Sequence, residues 1–536
     1  MRRHMEPRVT SPVHAIAWLL EGTSDPPGHL WPRWIFLRAL GAIYFSAFYS
    51  LAFQIRGLIG PDGILPAESY LKAVAGALGP WQRLASAPTL LWWSSGPRAL
   101  SALCFGGMAA SLLLVVNLWP RGTLALSFVC FLSFVAAAQD FSGYQSDGML
   151  LEAGFLALFL APGGLRPGLG RGHPPSRASL YLLRWEWFRI YFESGVVKLL
   201  SGDPEWRNFT AMDEYYQNGP LPTWIGYYVQ HLPHAFHAVT VCATLALELA
   251  LVFLVFLPRR FRLACFLIAT PWQIAVILTA NYAFLNYLVL SLGVLLLDDG
   301  QVVSLLPARF REKGEPGLAP AALGQPGERP RRRWRALRLS ACALALGWVG
   351  YATAAELAWL FARVPVPSSP VTALAPFRIA NRYGLFAVMT RGRYEIEFQG
   401  SADGQTWVAY PFRYKAQSLD RAPRIFAPYQ PRLDWNLWFA SLGSWREYSI
   451  VPNLEIRLLQ GDRDVLELFA GNPFERDPPR AIRVLLWQYW FTSLPELRKT
   501  GRWWRRELLG LYAPTVERTQ AGELRIVEWP TVGPRD

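Results

Sequence analysis

One stretch of this chain carries more charge than its apolar flanks account for: Leu183-Arg184-Trp185-Glu186-Trp187-Phe188-Arg189-Ile190-Tyr191-Phe192-Glu193-Ser194-Gly195-Val196-Val197-Lys198. On helical geometry Glu186, Arg189 and Glu193 fall within about 60° of one another, an i, i+3, i+7 ladder of ion pairs. Arg184, Tyr191 and Lys198 make a second stripe at seven-residue spacing. Ionisable groups inside a membrane either pair with one another or face a wet cavity. Other apolar segments offer partners: Arg38, Gln54 and Arg56 on the first, Asp147 and Glu152 at the start of the fourth, Glu248 on the sixth, and Asn281 and Asn286 further on. Two readings follow. The charges cross-link a helical bundle, or they line a polar cavity that opens outward.

Little else in the chain has the spacing of an active site. His231, His234 and His237 form an H-x-x-H-x-x-H run whose imidazoles could share a helix face as metal ligands. Pro233 interrupts that helix and no carboxylate stands beside it, so neither a metal nor a cofactor is expected. No G-x-S-x-G, H-E-x-x-H, C-x-x-C or P-loop occurs, and the glycines at 168, 170 and 172 follow no strand.

The elements that must position these residues are membrane helices. Of 536 residues 52% are apolar and 17% charged, against about 25% charged in an average soluble domain. The mean hydropathy of +0.17 points to a membrane part joined to a soluble part. Nine apolar segments qualify as spans: 34–59, 99–118, 122–138, 148–162, 179–200, 236–257, 263–280, 282–297 and 338–361. With the N-terminus inside, the cytoplasmic segments hold 19 Lys and Arg and the outer loops 4, as the positive-inside rule requires. Much of the net charge of +14 is therefore topological. The five cysteines all fall in apolar runs, so no disulfide framework is expected. No cleavable leader is apparent, and the first span does the targeting. The cytoplasmic linker 298–337 is Pro/Gly-rich from 306 and ends in Arg331, Arg332 and Arg333, facing anionic headgroups. Nucleic acid is excluded as a partner because no aromatic-interleaved binding module accompanies the arginines.

The expected organisation is a multi-pass transmembrane domain over 1–363 and an extracytoplasmic β-rich domain over 364–536. In the latter, Tyr394, Ile396 and Phe398 alternate with Glu395 and Glu397, and Ser401-Ala402-Asp403-Gly404 turns the chain into Trp407–Tyr410, a β-hairpin. Strands are expected at 482–491 and 523–529, with helical character at 433–442 and 454–469.

Several segments together resemble the lipase maturation factor family: Gly60-Pro61-Asp62-Gly63-Ile64-Leu65-Pro66, Gln145-Ser146-Asp147-Gly148 through Glu152, Arg184-Trp185 through Lys198-Leu199, Pro204-Glu205-Trp206-Arg207-Asn208-Phe209-Thr210, Ala380-Asn381-Arg382-Tyr383-Gly384-Leu385-Phe386, and Asp434-Trp435 with Trp438. The resemblance implies a polytopic α-helical membrane protein of about nine spans with a non-cytoplasmic C-terminal domain. It implies a maturation role for an exported client, a lipase by family, with Arg382, Tyr383, Trp435 and Trp438 on the partner surface. The Ala, Arg, Pro and Gly content points to a bacterial member in the cytoplasmic membrane; in a eukaryote the place would be the endoplasmic reticulum. Tyr191 to Leu199 followed by Trp206 also resembles vitamin K-dependent carboxylase-like membrane proteins, which would make Lys198 a catalytic base acting on a lipid-soluble quinol. A transporter is disfavoured because no inverted repeat is apparent.

Overall fold

The computed structural model describes residues 12–21, 28–305, 329–519 and 521–532. Each of the nine apolar segments is helical: Leu30–Ala52, Pro97–Val115, Pro120–Val135, Gln145–Leu160, Arg177–Leu200, His234–Leu249 running on into Leu251–Phe256, Arg259–Thr279, Leu285–Gly293 with Val294–Leu296, and Arg329–Phe361. A helix is the form in which a single segment satisfies its own backbone in lipid. Pro97 and Pro120 open their helices at positions where no N–H is needed.

Five helices are long and apolar enough to cross a membrane, and a sixth span results if Leu285–Leu296 and Asp299–Leu305, bent by 112°, count together. Three of the nine expected spans do not meet that measure. Pro120–Val135 and Gln145–Leu160 have only 16 residues each, and Arg177–Leu200 carries most of the charges. The expected linker also differs. Residues 299–305 are a helix, and the last long helix begins at Arg329, because Arg331–Leu337 contains good helix formers and neither Gly nor Pro. Residues 306–328 and the arginines at 2, 3 and 8 lie outside the described residues.

The C-terminal half holds an antiparallel sheet in the order β2-β1-β3-β4-β5, formed by β1 (Arg393–Ser401), β2 (Val408–Ala409), β3 (Ala481–Phe491), β4 (Trp504–Arg518) and β5 (Leu524–Glu528). The expected hairpin is present, with Gln399 opposite Ala409. Asp403 closes its turn by accepting from the amides of Gln405 and Thr406 at 2.8 and 2.7 Å, which holds its carboxyl well below the usual range. Gly404 sits in the left-handed region, at φ 78°.

Glu395 and Glu397 are buried, although their alternation with Ile396 and Phe398 places them on the opposite face. Residues 413–417 cover that face. Lys415 pairs with Glu395 at 2.9 Å, and Arg506 pairs with Glu397 at 3.2 Å. The 15-residue β4 is hidden in sequence by Gly510 and Pro514, which break a strand pattern. The structure absorbs them as register shifts, with Pro514 between the paired residues Ala513 and Val516.

One apolar core runs from Phe36 in the helix Leu30–Ala52 to Ala513 in β4, so the two halves are packed as a unit. Gln54 bonds the backbone of Gln430 (2.9 Å) and Arg432 (2.8 Å), and Asn281 accepts from the amides of Phe426 and Ala427. The Arg432–Leu442 helix also holds Asp434, whose carboxylate caps the amides of Tyr414 and Lys415 at 3.3 and 3.1 Å. Burial pushes the Asp434 pKa up from 3.8 to about 6. The folded state thus binds this proton more tightly than the unfolded chain, so its contribution favours folding at low pH and is lost as pH rises from about 4 to 6. Asp434→Asn is expected to flatten that part of the pH dependence of thermal unfolding in detergent.

Candidate functional site

The charged helix Arg177–Leu200 and the start of Gln145–Leu160 hold a peptide. The segment Asn381–Thr390, in the motif-bearing stretch of the C-terminal half, lies against them and is bonded almost residue by residue to their side chains. Glu152 takes the guanidinium of Arg189 through one oxygen. Its other oxygen accepts from the Asn381 amide (3.0 Å), the Asn381 side chain (3.1 Å) and the Tyr383 hydroxyl (2.9 Å). Arg189 donates to the Asn381 carbonyl at 2.6 Å, and Glu193 accepts from the Tyr383 amide at 2.6 Å. Gln145 takes Gly384 N–H and the Ser194 hydroxyl takes Leu385 N–H. Lys198 reaches the Leu385 carbonyl (3.1 Å), Trp206 the Phe386 carbonyl (3.0 Å), and Asp203 the Met389 amide (2.6 Å).

Close approach makes this possible. A Cβ on Gly148 would stand 2.6 Å from the Asn381 side-chain oxygen, and one on Gly195 would stand 2.8 Å from Glu248.

The polar cluster expected from sequence divides accordingly. Glu152, Arg189 and Glu193 come together, with Arg189 and Glu193 3.8 Å apart. Glu186 shares their helix face, but neither of its oxygens has a hydrogen-bond partner, so the expected ladder is incomplete. Asp147 is a separate bolt, bound through both oxygens by Arg432 at 2.7 and 2.9 Å. Arg56 leaves the cluster, because the helix Leu30–Ala52 ends before it; it pairs instead with Asp464 of the C-terminal half at 2.7 Å. Arg38 lies over Trp34 of its own helix and bonds that residue's carbonyl. Arg184, about four turns from Lys198, caps the Leu295 carbonyl near the opposite end of the bundle. Glu152, Arg189 and Glu193 are therefore a strut for a backbone segment, and of the expected cluster Lys198 borders a cavity.

Lys198 is 2% exposed and bound to both oxygens of Glu248 at 3.0 and 2.9 Å. A base needs a free electron pair, whereas this ammonium spends its protons on a carboxylate and a carbonyl. The carboxylase-like alternative gains no support. Lys198→Arg is expected to keep nearly wild-type membrane levels and client maturation, and Lys198→Ala to lower both. An Arg variant that is fully expressed yet inactive would revive the base.

The histidines part company as well. His231 contacts the carbonyls of Tyr227 and Thr492, His234 contacts Asp213 at 3.0 Å, and His237 is buried beside Tyr216. Among the described residues no group of three His, Cys, Asp or Glu is placed to hold a metal ion.

Between the bundle and the C-terminal half lies a cleft of about 710 Å³. Residues 384–390 form one wall, and Tyr144, Tyr282, Trp435, Trp438 and Phe439 form much of the rest. Below it a space of about 90 Å³ reaches the Lys198–Glu248 pair, and Tyr215, Asn286, Leu385 and Phe386 line both. The expected partner residues fall differently from a flat exposed patch. Trp435 and Trp438 line the cleft, Arg382 is exposed outside it, and Tyr383 is buried in the strut because its hydroxyl is a ligand of Glu152. Arg432 escaped the sequence reading. Its only signal is its place two residues before the Asp434-Trp435 motif.

Two family models match the chain: the lipase maturation factor transmembrane domain over residues 31–304 and the lipase maturation factor C-terminal domain over 379–514. Lipase maturation factor 1 of Bos taurus is 34% identical, over 94% of this chain and 92% of that protein. Lipase maturation factor 2 of Gallus gallus is 33% identical, over 92% and 82%, and lipase maturation factor 1 of Homo sapiens 31%, over 96% and 94%. No solved structure matches. With both family models matched in order and identity sustained over nearly its whole length, the chain belongs to the lipase maturation factor family of integral membrane proteins.

Proposed function

We propose that this protein is a membrane-held maturation factor for exported lipases, and that the client is engaged at the outward cleft lined by Trp435 and Trp438. The observation that carries the reading is the construction of the cleft: a network of buried charges holds the segment 381–390, whose residues 384–390 form the wall, an investment that a purely structural loop does not need. Arg382, exposed beside the wall, belongs to the same face. The relatives named for lipase maturation support the client class.

The reading includes nine spans, a transmembrane domain over 1–363, and an outer domain from 364 to the end, in a bacterial cytoplasmic membrane. The contacts between halves support this sidedness. Gln54, Asp147, Lys198 and Asn281 all lie at helix ends that the Lys and Arg count puts outside, while Arg33, Arg121, Arg184 and Arg262 cap carbonyls at the other ends. A C-terminal alkaline phosphatase fusion is expected to be active and a cytoplasm-only fluorescent fusion dark; the reverse would remove one span. Trp435→Ala and Arg382→Ala are expected to lower secreted lipase activity several-fold at unchanged membrane levels. Loss of the protein itself in the Trp435 variant would make that ring core and not contact surface.

A further inference from the structure

A second pocket, of about 250 Å³, is formed by the loop 413–426 and shares no lining residue with the cleft. Arg413, Lys415, Arg421 and Arg424 belong to its lining, and no Asp or Glu does. Lys415 is buried and neutralised by Glu395 at 2.9 Å. The three arginines are not neutralised. Arg413 donates to the Glu467 carbonyl at 3.1 Å, an uncharged partner, and Arg421 and Arg424 are exposed with no ion pair among the described residues. Asp420, next to Arg421 in the chain, lies outside the lining and faces Arg502 at 4.0 Å. Like charges around one hollow repel unless an anion sits among them. Guanidinium forks match the oxygens of a phosphate in paired hydrogen bonds.

The pocket stands at the end of a membrane-crossing helix. Pro222, in its lining, bridges Ala280, the residue that follows the span Arg259–Thr279. Asn281 donates to the Arg424 carbonyl at 2.7 Å and so ties the basic loop to that helix end. Exposed apolar groups gather at the same place: Ile425 in the lining, Trp224 two residues beyond Pro222, and Tyr228 one turn further, 6.1 Å from Trp503. Trp and Tyr collect at the depth of lipid headgroups.

We infer that this pocket binds the phosphate of an anionic phospholipid, held by Arg413, Arg421 and Arg424, with the lipid's apolar part against Ile425 and the rings at the helix end. The charge selects an anion, and the position selects a lipid, since a soluble phosphate gains nothing from the apolar border. A zwitterionic headgroup brings a cation of its own among the arginines. The volume falls below the roughly 300–1,000 Å³ of drug-sized sites and suits a headgroup.

The test uses the fluorescently labelled full-length protein in maltoside detergent, titrated with dioctanoyl phosphatidylglycerol and followed by thermophoresis. Saturable binding is expected, at least about fivefold tighter than that of dioctanoyl phosphatidylcholine or glycerol 3-phosphate, and weaker at high salt. Arg421→Gln and Arg424→Gln are each expected to weaken it about fivefold and the double variant about twentyfold. The Arg421→Lys, Arg424→Lys variant keeps the charge without the paired bonds and should fall between. Arg476→Gln, at an exposed arginine outside the lining, should change nothing. Unfolding temperatures without lipid should match wild type in every variant, which separates lost binding from lost fold, and the comparison of headgroups needs no variant. Glycerol 3-phosphate binding as tightly as the lipid overturns the lipid assignment. Equal affinity for phosphatidylcholine, or a folded double Gln variant that binds like wild type, overturns the site. Tighter binding of a hexaglutamate peptide than of phosphatidylglycerol overturns the inference in favour of an acidic polypeptide.

Discussion

Replacing Arg432 by Met is expected to cost about 3–5 kcal/mol of stability, because it leaves Asp147 as an uncompensated charge in the core. Both side chains are fully buried, and Arg432 also caps the Phe141 carbonyl at 2.6 Å. Asp147→Leu should cost as much for the mirror-image reason. The Asp147→Leu, Arg432→Met double variant should recover most of the loss, since an apolar pair of similar volume avoids the desolvation that an ion pair must offset. Denaturant titration of the purified protein in detergent, followed by the fluorescence of its many tryptophans, gives the four stabilities of the cycle. Singles within about 1 kcal/mol of wild type would mean that this pair does not join the halves.

That bolt also marks the limit of what the sequence discloses. The long apolar helices are legible because a segment that crosses lipid must be a long apolar run, and the β-hairpin because Asp403-Gly404 has its own turn chemistry. The importance of Glu152, Arg189 and Glu193 is legible because charge in a membrane is costly. Their partner is not. A side chain that binds a backbone amide or carbonyl leaves no mark in the partner's residue types, so nothing in Asn381–Thr390 announces that it lies against the bundle. Glu186 and Glu193 look alike on a helical projection, and only tertiary packing separates the orphan from the one that holds Tyr383. The same limit hides the pairing of Arg56 with Asp464, more than 400 residues away in the chain. Trp435 reads as an exposed anchor from its type alone, whereas it is a cleft wall packed edge-on against Tyr144 at 5.5 Å.

Glu152 and Glu186 together give the sharpest test of the strut. Both carboxyls are buried, at 1% and 0% exposure, and both face Arg189's side of the bundle. Glu152 serves four donors; Glu186 serves none. Glu152→Ala should therefore cost about 3–5 kcal/mol, because it takes from Arg189 its directly hydrogen-bonded carboxylate and leaves the Asn381 side chain and amide and the Tyr383 hydroxyl without their acceptor. Glu186→Gln should stay within about 1 kcal/mol of wild type, since no bond is broken. The segment itself reports the difference. Arg378, Arg382 and Arg391 make it a trypsin substrate once it leaves the bundle, and cleavage follows the population of the opened state. In detergent, Glu152→Ala is expected to be cut within 378–391 under conditions where wild type and Glu186→Gln stay whole. With its wall displaced, the cleft should also fail in lipase maturation at membrane levels matched to wild type. A Glu152→Ala protein as resistant as wild type, or a Glu186→Gln protein cut as readily as Glu152→Ala, would mean that the buried charges do not hold this segment in place.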